Sequence, residues 1–344
     1  MDNHNDDAQV NNKPESNFTD NESAATETVL AFKYLAKPEL EESKSRMSVW
    51  TRSLTSLALY FIIGYYFFNK DWLLVLILTG VVVFHEMGHF LAMKLYNYTD
   101  LGIFFIPLLG AYASGTKREV SQTQSSIIIL AGPVPGIIAG IILYYLALHQ
   151  DSRFLEATSS FLILLNVINL IPVYPLDGGQ LLNRLFFDES AIIGKIFSIL
   201  SCILIGWIFI NLGLQKSVFF VLLIIPLMIL MRMFSDTRQE KLVAKIEKEG
   251  VDLTVDYDDI SDEQYWKIRN AIIRHHPDFR HIPQAPPYEY SAQEEKIITI
   301  MQSLLQRMII MDLSIAGKIL IILIWLGCFA APVLMKMPLH LFYS

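Results

Sequence analysis

Long apolar runs separated by short polar connections dominate this chain. Seven of them lie near Leu54–Phe68, Leu73–Leu95, Ser125–Ala147, Phe161–Pro172, Ile192–Asn211, Val218–Met233 and Ile315–Met335. A helix needs roughly 20 mainly apolar residues to cross a bilayer, so each run reads as a transmembrane span. The first is short, and the fourth is shorter still, ending in a break at Pro172 and Pro175. A helix that breaks at membrane depth frees backbone polar groups, which is tolerated only where they are buried in protein or line a wet cavity. Between the second and third runs lies LGIFFIPLLGAYASGTKREV, interrupted by Pro107, Gly110 and Gly115, with rough alternation around Tyr112 and Ser114. It predicts a re-entrant hairpin or strand pair dipping in from the cytoplasmic side, with a plain interfacial loop as the alternative.

The polar segments complete the plan. The first 28 residues are polar and acidic, without the basic and apolar regions of a cleavable signal peptide. They predict a disordered tail over 1–45, because almost nothing in them can offset the entropy of ordering. The first span is then expected to direct insertion. A core of about six helices follows over 50–234, a helical soluble segment over 235–312, and a last span over 313–344. The soluble segment holds a charged helix (TRQEKLVAKIEKEG), the acidic loop VDLTVDYDDI and a helix opened by Ser261 with Gln264 as a capping box. A proline-rich turn then leads to a third helix from Ser291. The expected fold class is an all-α polytopic membrane protein: about seven transmembrane helices, a re-entrant β-hairpin-like loop and a small helical cytoplasmic segment.

Composition agrees. Of 344 residues, 53% are hydrophobic and 18% charged, against about 45–50% and about 25% for a soluble domain. The net charge of −7 comes largely from acidic clusters in the first 45 positions and from Asp252 to Glu263. No basic face interleaved with aromatics appears, which excludes nucleic acid as a partner. Cys202 and Cys328 both sit in apolar runs and read as small packing residues rather than a disulfide. With the N-terminus in the cytoplasm, the outer connections carry only Lys70, Arg153, Lys216 and Lys336. The inner ones collect eleven basic residues, among them Lys94, Lys117, Arg118, Arg184 and Arg232. That bias puts the N-terminus inside and the C-terminus outside.

The chemistry concentrates in VVVFHEMGHF, residues 81–90. His85 and His89, four apart on a helix, share one face and can reach a single metal ion. Glu86 projects roughly 100° around the helix, where it can take a proton from a metal-activated water. Three ionisable groups within five residues of an apolar span demand a metal or a wet pocket, since one charged group at bilayer depth costs at least about 2.5–3.5 kcal/mol. A catalytic zinc takes three protein ligands and keeps one position open. The best third ligand is Asp177 in NVINLIPVYPLDGGQLLNR, placed between the Pro172/Pro175 break and the flexible Gly178 and Gly179. Its plain alternative is a cap on the helix from Gly179 to Leu185.

His-Glu-x-x-His in one span and Asn-x-x-Pro-x-x-x-Leu-Asp-Gly in a later one resemble the paired signatures of the site-2 protease family of intramembrane zinc metalloproteases. The likeness covers about Trp72 to Arg184. It implies one zinc per chain held by His85, His89 and Asp177, Glu86 as general base, and Asn169 holding the substrate backbone or polarising the scissile carbonyl. Asn166 lines the same face or makes an interhelical hydrogen bond, two roles that stand level. The Phe104–Gly115 loop corresponds to the family's membrane-inserted hairpin, where Gly110, Ala111 and Tyr112 would meet an unwound substrate by strand addition. AGPVPG, residues 131–136, resembles the family's small-residue motif and reads as close helix packing. No stretch matches the family's paired cystathionine-synthase-type domains or an inserted PDZ domain.

The expected activity is metalloendopeptidase cleavage of transmembrane protein substrates, of the kind used in regulated intramembrane proteolysis, in contact with membrane lipid and by default in a prokaryotic cell membrane. A metal transporter or sensor and a non-cleaving scaffold are the rival classes. The cluster His275, His276, Asp278 and His281 reads as a solvated surface rather than a second metal site.

Overall fold

The computed structural model describes residues 34–39, 48–107, 110–117, 119–187, 190–215, 220, 222–305 and 309–334. The expected tail over 1–45 lies mostly outside these residues. The chain divides into two compact units, one of Glu41–Glu240 with Arg307–Ser344 and one of Met1–Leu40 with Lys241–Gln306.

The larger unit begins with α1 (Val49–Phe67), capped by the Ser48 side chain, and α2 (Trp72–Leu95), capped by Asp71. An antiparallel hairpin follows, β1 (Thr99–Ile106) and β2 (Gly110–Thr116), with Phe104 opposite Tyr112 and Phe105 opposite Ala111. The strand pair read from the alternation is therefore present. Gly102 lets α1 lie against it, since a Cβ there would stand 2.6 Å from Val49 Cγ1. The short β3 (Val120–Ser121) leads into α3 (Gln122–Ala131), which passes at Gly132 into α4 (Pro133–Gln150). The single expected third span is thus two helices meeting where the ring of Pro133 interrupts the backbone ladder. Next come α5 (Arg153–Asn169), α6 (Asp177–Leu182) with a wider turn over Asn183–Phe187, and α7 (Ala191–Gln215). α8 (Ile224–Glu247) starts apolar and runs on unbroken into the charged TRQEKLVAKIE stretch, where separate elements were expected. Nothing from Phe234 to Thr237 is a strong breaker, so the helix continues through the change of polarity. β4 (Ile309–Ile310) pairs in parallel with β3, and α11 (Ile315–Leu334) closes the unit.

Four helical stretches among the described residues are long and apolar enough to cross a membrane: Trp72–Leu95, Gln122–Gln150, Ile192–Gln215 and Ile315–Leu334. Seven spans were expected. α1 carries Thr51, Arg52 and Ser53 near its start, α5 is only 17 residues long, and α8 turns charged at Arg232, which shortens their apolar lengths. α7 and α11 expose most of their apolar surface, including Ile192, Leu200, Ile203 and Trp207 on one and Ile319, Leu320 and Leu323 on the other. Such unbroken apolar faces suit hydrocarbon as solvent.

The smaller unit packs the end of α8 (Leu242, Ile246) against α9 (Asp262–His275) and α10 (Glu294–Leu304). The expected capping box is formed: Ser261 accepts from the Gln264 amide while the Gln264 side chain accepts from the Ser261 amide. Tyr265, Trp266, Ile272, Ile297 and Met301 fill its core. Arg269 and Glu294 form a buried two-pronged pair, with Nε and one Nη donating to the two carboxylate oxygens at 2.6 and 2.9 Å. Residues 34–39, within the tail expected to be disordered, are ordered against this unit through hydrogen bonds to Asp262, Tyr257 and Trp266.

Candidate metal centre and catalytic site

α2 carries His85, Glu86 and His89, and its surroundings are shaped by glycines. A Cβ at Gly88 would lie 1.9 Å from the Ala131 carbonyl oxygen, so only glycine allows α3 to end against α2. That approach brings the Ile128 carbonyl to His89 Nδ1 at 2.7 Å. At the start of α4 and along it, a Cβ at the N-cap Gly132 would stand 2.3 Å from His89 Nε2, at Gly136 2.2 Å from Asn166 Nδ2, and at Gly140 2.6 Å from Ile163. One turn apart on one helix face, these three positions leave space for a histidine, the amide behind the other histidine, and the helix that carries that amide. The small-residue motif is a packing device, as its sequence suggested.

The tautomers of both histidines are fixed by partners that can only accept. Ile128 offers a carbonyl to His89 Nδ1. Asn166 spends its Nδ2 on the Leu162 carbonyl at 2.6 Å and turns Oδ1 to His85 Nδ1 at 2.7 Å. Each Nδ1 is therefore protonated and donates, leaving each Nε2 lone pair to point inward.

Asp177, the first residue of α6, reaches the same point. Gly178 and Gly179 make this possible, because Cβ atoms there would stand 1.9 Å from Leu170 O and 2.4 Å from Tyr174 N. The Leu170 carbonyl at the helix break accepts from Trp325 Nε1 of α11 at 2.9 Å. Asp177 Oδ2 lies 3.1 Å from His85 Nε2 and 3.3 Å from His89 Nε2, and the two nitrogens lie 3.1 Å apart. Oδ2 is buried and makes no hydrogen bond among the described residues. Two inward-facing imidazole nitrogens and a buried carboxylate oxygen thus converge on one point, a donor set that a single cation could bind. A tetrahedral zinc bonded at about 2.0–2.1 Å would hold its ligands roughly 3.3–3.4 Å apart. The donor triangle fits it, and His85, His89 and Asp177 are the single such group among the described residues.

Beside the triangle lies a cavity of about 460 Å³, with a largely apolar wall from α1, α2, the hairpin tip and α5. His85, Glu86, Asn169, Gly110 and Ala111 all line it. Glu86 is 6% exposed, and its carboxylate faces the backbone amide of Ala113 in β2. Two expected substrate contacts lie elsewhere. Asn166 has no exposed surface and stands behind His85, the interhelical hydrogen bond of its two readings. Tyr112, 49% exposed, turns to the opposite face of the hairpin and pairs with Phe104, because alternate strand residues point to opposite sides. Thr79 on the cavity wall went unremarked in the sequence; its hydroxyl is buried and unpaired among the described residues. Nor does any side chain announce the part played by the Ile128 carbonyl. His275 bonds Glu249 and His281 faces Gln293, so these histidines are engaged separately.

Residues 73–162 match the sequence family described as Peptidase family M50. The chain is 29% identical over 159 residues to stage IV sporulation protein FB of Bacillus subtilis, covering 43% of this chain and 54% of that protein. It is 31% identical over 137 residues to zinc metalloprotease MJ0392 of Methanocaldococcus jannaschii, covering 38% and 40% respectively. It thus spans about half the length, or less, of these curated relatives. The solved site-2 protease from Methanocaldococcus jannaschii is 24% identical, over 52% of this chain and 85% of that one, with a TM-score of 0.40. The family and relatives found bear out the likeness to site-2 proteases read from the two motifs. Asn166, Asn169 and Asp177 lie beyond the matched family segment.

Proposed function

We propose that this chain is an intramembrane zinc metalloprotease that hydrolyses peptide bonds of transmembrane protein substrates, in the manner of regulated intramembrane proteolysis. In this reading seven helices cross the membrane, with the N-terminus cytoplasmic and the C-terminus outside, and each chain binds one zinc. The observation that carries it is the buried Asp177 Oδ2 standing 3.1 and 3.3 Å from the inward Nε2 atoms of His85 and His89, with Glu86 alongside on a cavity wall.

His85, His89 and Asp177 would hold the ion. Bound there, zinc supplies Lewis acidity towards water and a carbonyl oxygen. The remaining work falls to the chain's own groups. Glu86 takes a proton from the attacking water at a carboxylate oxygen and returns it to the leaving amide nitrogen. Asn169 donates to the substrate carbonyl from the end of α5. The hairpin tip at Gly110 and Ala111 offers backbone groups to an extended substrate, and the apolar cavity limits competing water.

The test is cleavage of a labelled transmembrane peptide by purified protein, with bound zinc measured in parallel. Wild type should cut with about one zinc per chain. Glu86→Gln should keep its zinc and lose roughly 10²–10⁴-fold in rate, and chelation should stop cleavage. Zinc binding without cleavage of any peptide in a broad panel would favour a metal transporter or sensor, or a scaffold, and Glu86→Gln retaining full turnover would remove Glu86 as the base.

A further inference from the structure

The smaller unit includes an extended piece of the chain's N-terminal region, held chiefly through its backbone. The buried residues of its main hydrophobic cluster run from Leu242 to Leu305, and residues 34–38 add only the partly buried Tyr34 at the margin. Yet this short stretch, Tyr-Leu-Ala-Lys-Pro, is read along its backbone. Trp266 Nε1 donates to the Leu35 carbonyl at 2.7 Å, the Tyr290 hydroxyl donates to that of Ala36, and the Tyr257 hydroxyl donates to that of Pro38 at 2.8 Å. The Lys37 amide donates to Asp262 Oδ1 at 2.7 Å.

The side chains are read as well. The Lys37 ammonium donates to the carbonyls of Tyr257, Asp258 and Ile260 at 2.8, 2.7 and 2.9 Å and lies 5.6 Å from the centre of the Tyr257 ring. An ammonium has three donors, and all three are used. The broad planar fork of arginine would not enter a ring of carbonyls built this closely. Tyr34 packs edge-on against Tyr288. Beneath the segment, Trp266 and Tyr290 stack within 6° of parallel, and Arg269 lies 4.8 Å over Trp266 while clamped to Glu294. The platform is therefore braced from within its own unit. Residues 34–38 and their partners lie more than 200 positions apart in sequence, so these are the contacts a separate peptide would make.

We infer that the 241–306 part of this unit is a peptide-recognition module for an extended segment of the form aromatic-x-x-Lys-Pro, and that residues 34–38 occupy its groove in cis. Its ligand in trans is a protein segment with the same lysine–proline chemistry. Such a segment competes with an internal one whose local concentration is set by its tether rather than by the solution.

The experiment compares wild type with the otherwise full chain lacking residues 1–40, both in detergent, using a fluorescent Tyr-Leu-Ala-Lys-Pro-Glu peptide and its lysine-to-alanine counterpart. Anisotropy should show saturable binding to the truncated chain at least tenfold tighter than to wild type, and at least tenfold weaker binding of the alanine peptide. No binding by a truncated chain whose α9 amides keep their exchange protection would overturn the inference, as would equal binding of the two peptides. If truncation removes that protection, the full-length Lys37→Ala chain decides. Its loosened segment should admit the lysine peptide at least tenfold better than wild type, and binding no better than wild type overturns the proposal.

Discussion

Asn166 accepts the Nδ1 proton of His85 at 2.7 Å while giving its own amide hydrogen to the Leu162 carbonyl one turn back. The second bond forbids the amide from flipping, and the first forbids the imidazole from changing tautomer. A residue with no exposed surface thereby fixes which nitrogen of His85 faces the site.

Asn166→Ala should accordingly weaken zinc binding by about 10–100-fold, the usual effect of removing a group that orients a metal-bound histidine. Asn166→Asp keeps an acceptor and should retain much tighter binding than the alanine variant. Competition with a chelating dye measures both, and equal affinities for wild type and the alanine variant would remove this role.

Gly136→Ala places a methyl where the structure has the Asn166 amide, 2.2 Å from Nδ2. The same loss of zinc affinity is expected without touching any polar group. Gly80→Ala has nothing within 4 Å of its new Cβ and serves as the matched control. Similar zinc affinities for the two variants would mean the site tolerates displacement of Asn166.

Thr79 carries a hydroxyl that is buried without a partner among the described residues. Replacing it with valine removes a desolvated polar atom, and a gain in stability of about 1 kcal/mol is expected. Thermal unfolding in detergent should move upward with zinc content unchanged, and a drop in stability would mean the hydroxyl has a partner in solution.

The smaller unit should be acid-sensitive through Glu294. Burial alone would raise its carboxyl, but Arg269, the Tyr265 hydroxyl and the Ser291 amide hold it below the ordinary glutamate range. A carboxyl depressed in the folded state contributes stability that is present above its unfolded value, about 4.3, and is lost as pH falls through the lower folded value. Amide exchange in α9 should therefore accelerate as pH drops below about 4, after correction for the intrinsic rate. Glu294→Gln should flatten that dependence while lowering protection near neutrality, because it leaves Arg269 buried without its counter-charge. An unchanged pH profile in the variant would assign the acid sensitivity elsewhere.

How much of this was legible depended on the distance between partners. The His85–His89 pair was readable because helical spacing alone puts both rings on one face. Asp177 was readable because proline and glycine announce an interruption and an acid stands inside it. The hairpin and the Ser261 capping box are likewise local patterns. Asn166 left two readings open, since choosing between the cavity and His85 depends on the rotation of α5 against α2, which packing fixes. The Lys37 cage depends on carbonyls some 220 positions away, and a carbonyl has no letter in the sequence. The break at Gly132 looked like one continuous apolar run because hydropathy does not register backbone geometry.

The hydrogen bond from Trp325 to the Leu170 carbonyl crosses 155 positions and sets an order of events. During synthesis His85, His89 and Asp177 all leave the ribosome well before α11 exists. A nascent chain at that stage has all three converging side chains, yet the kinked segment that carries Asp177 still lacks its hydrogen bond from Trp325. The hydrogen bond from this late helix to the broken segment can therefore form only after the residues of the centre have all been made.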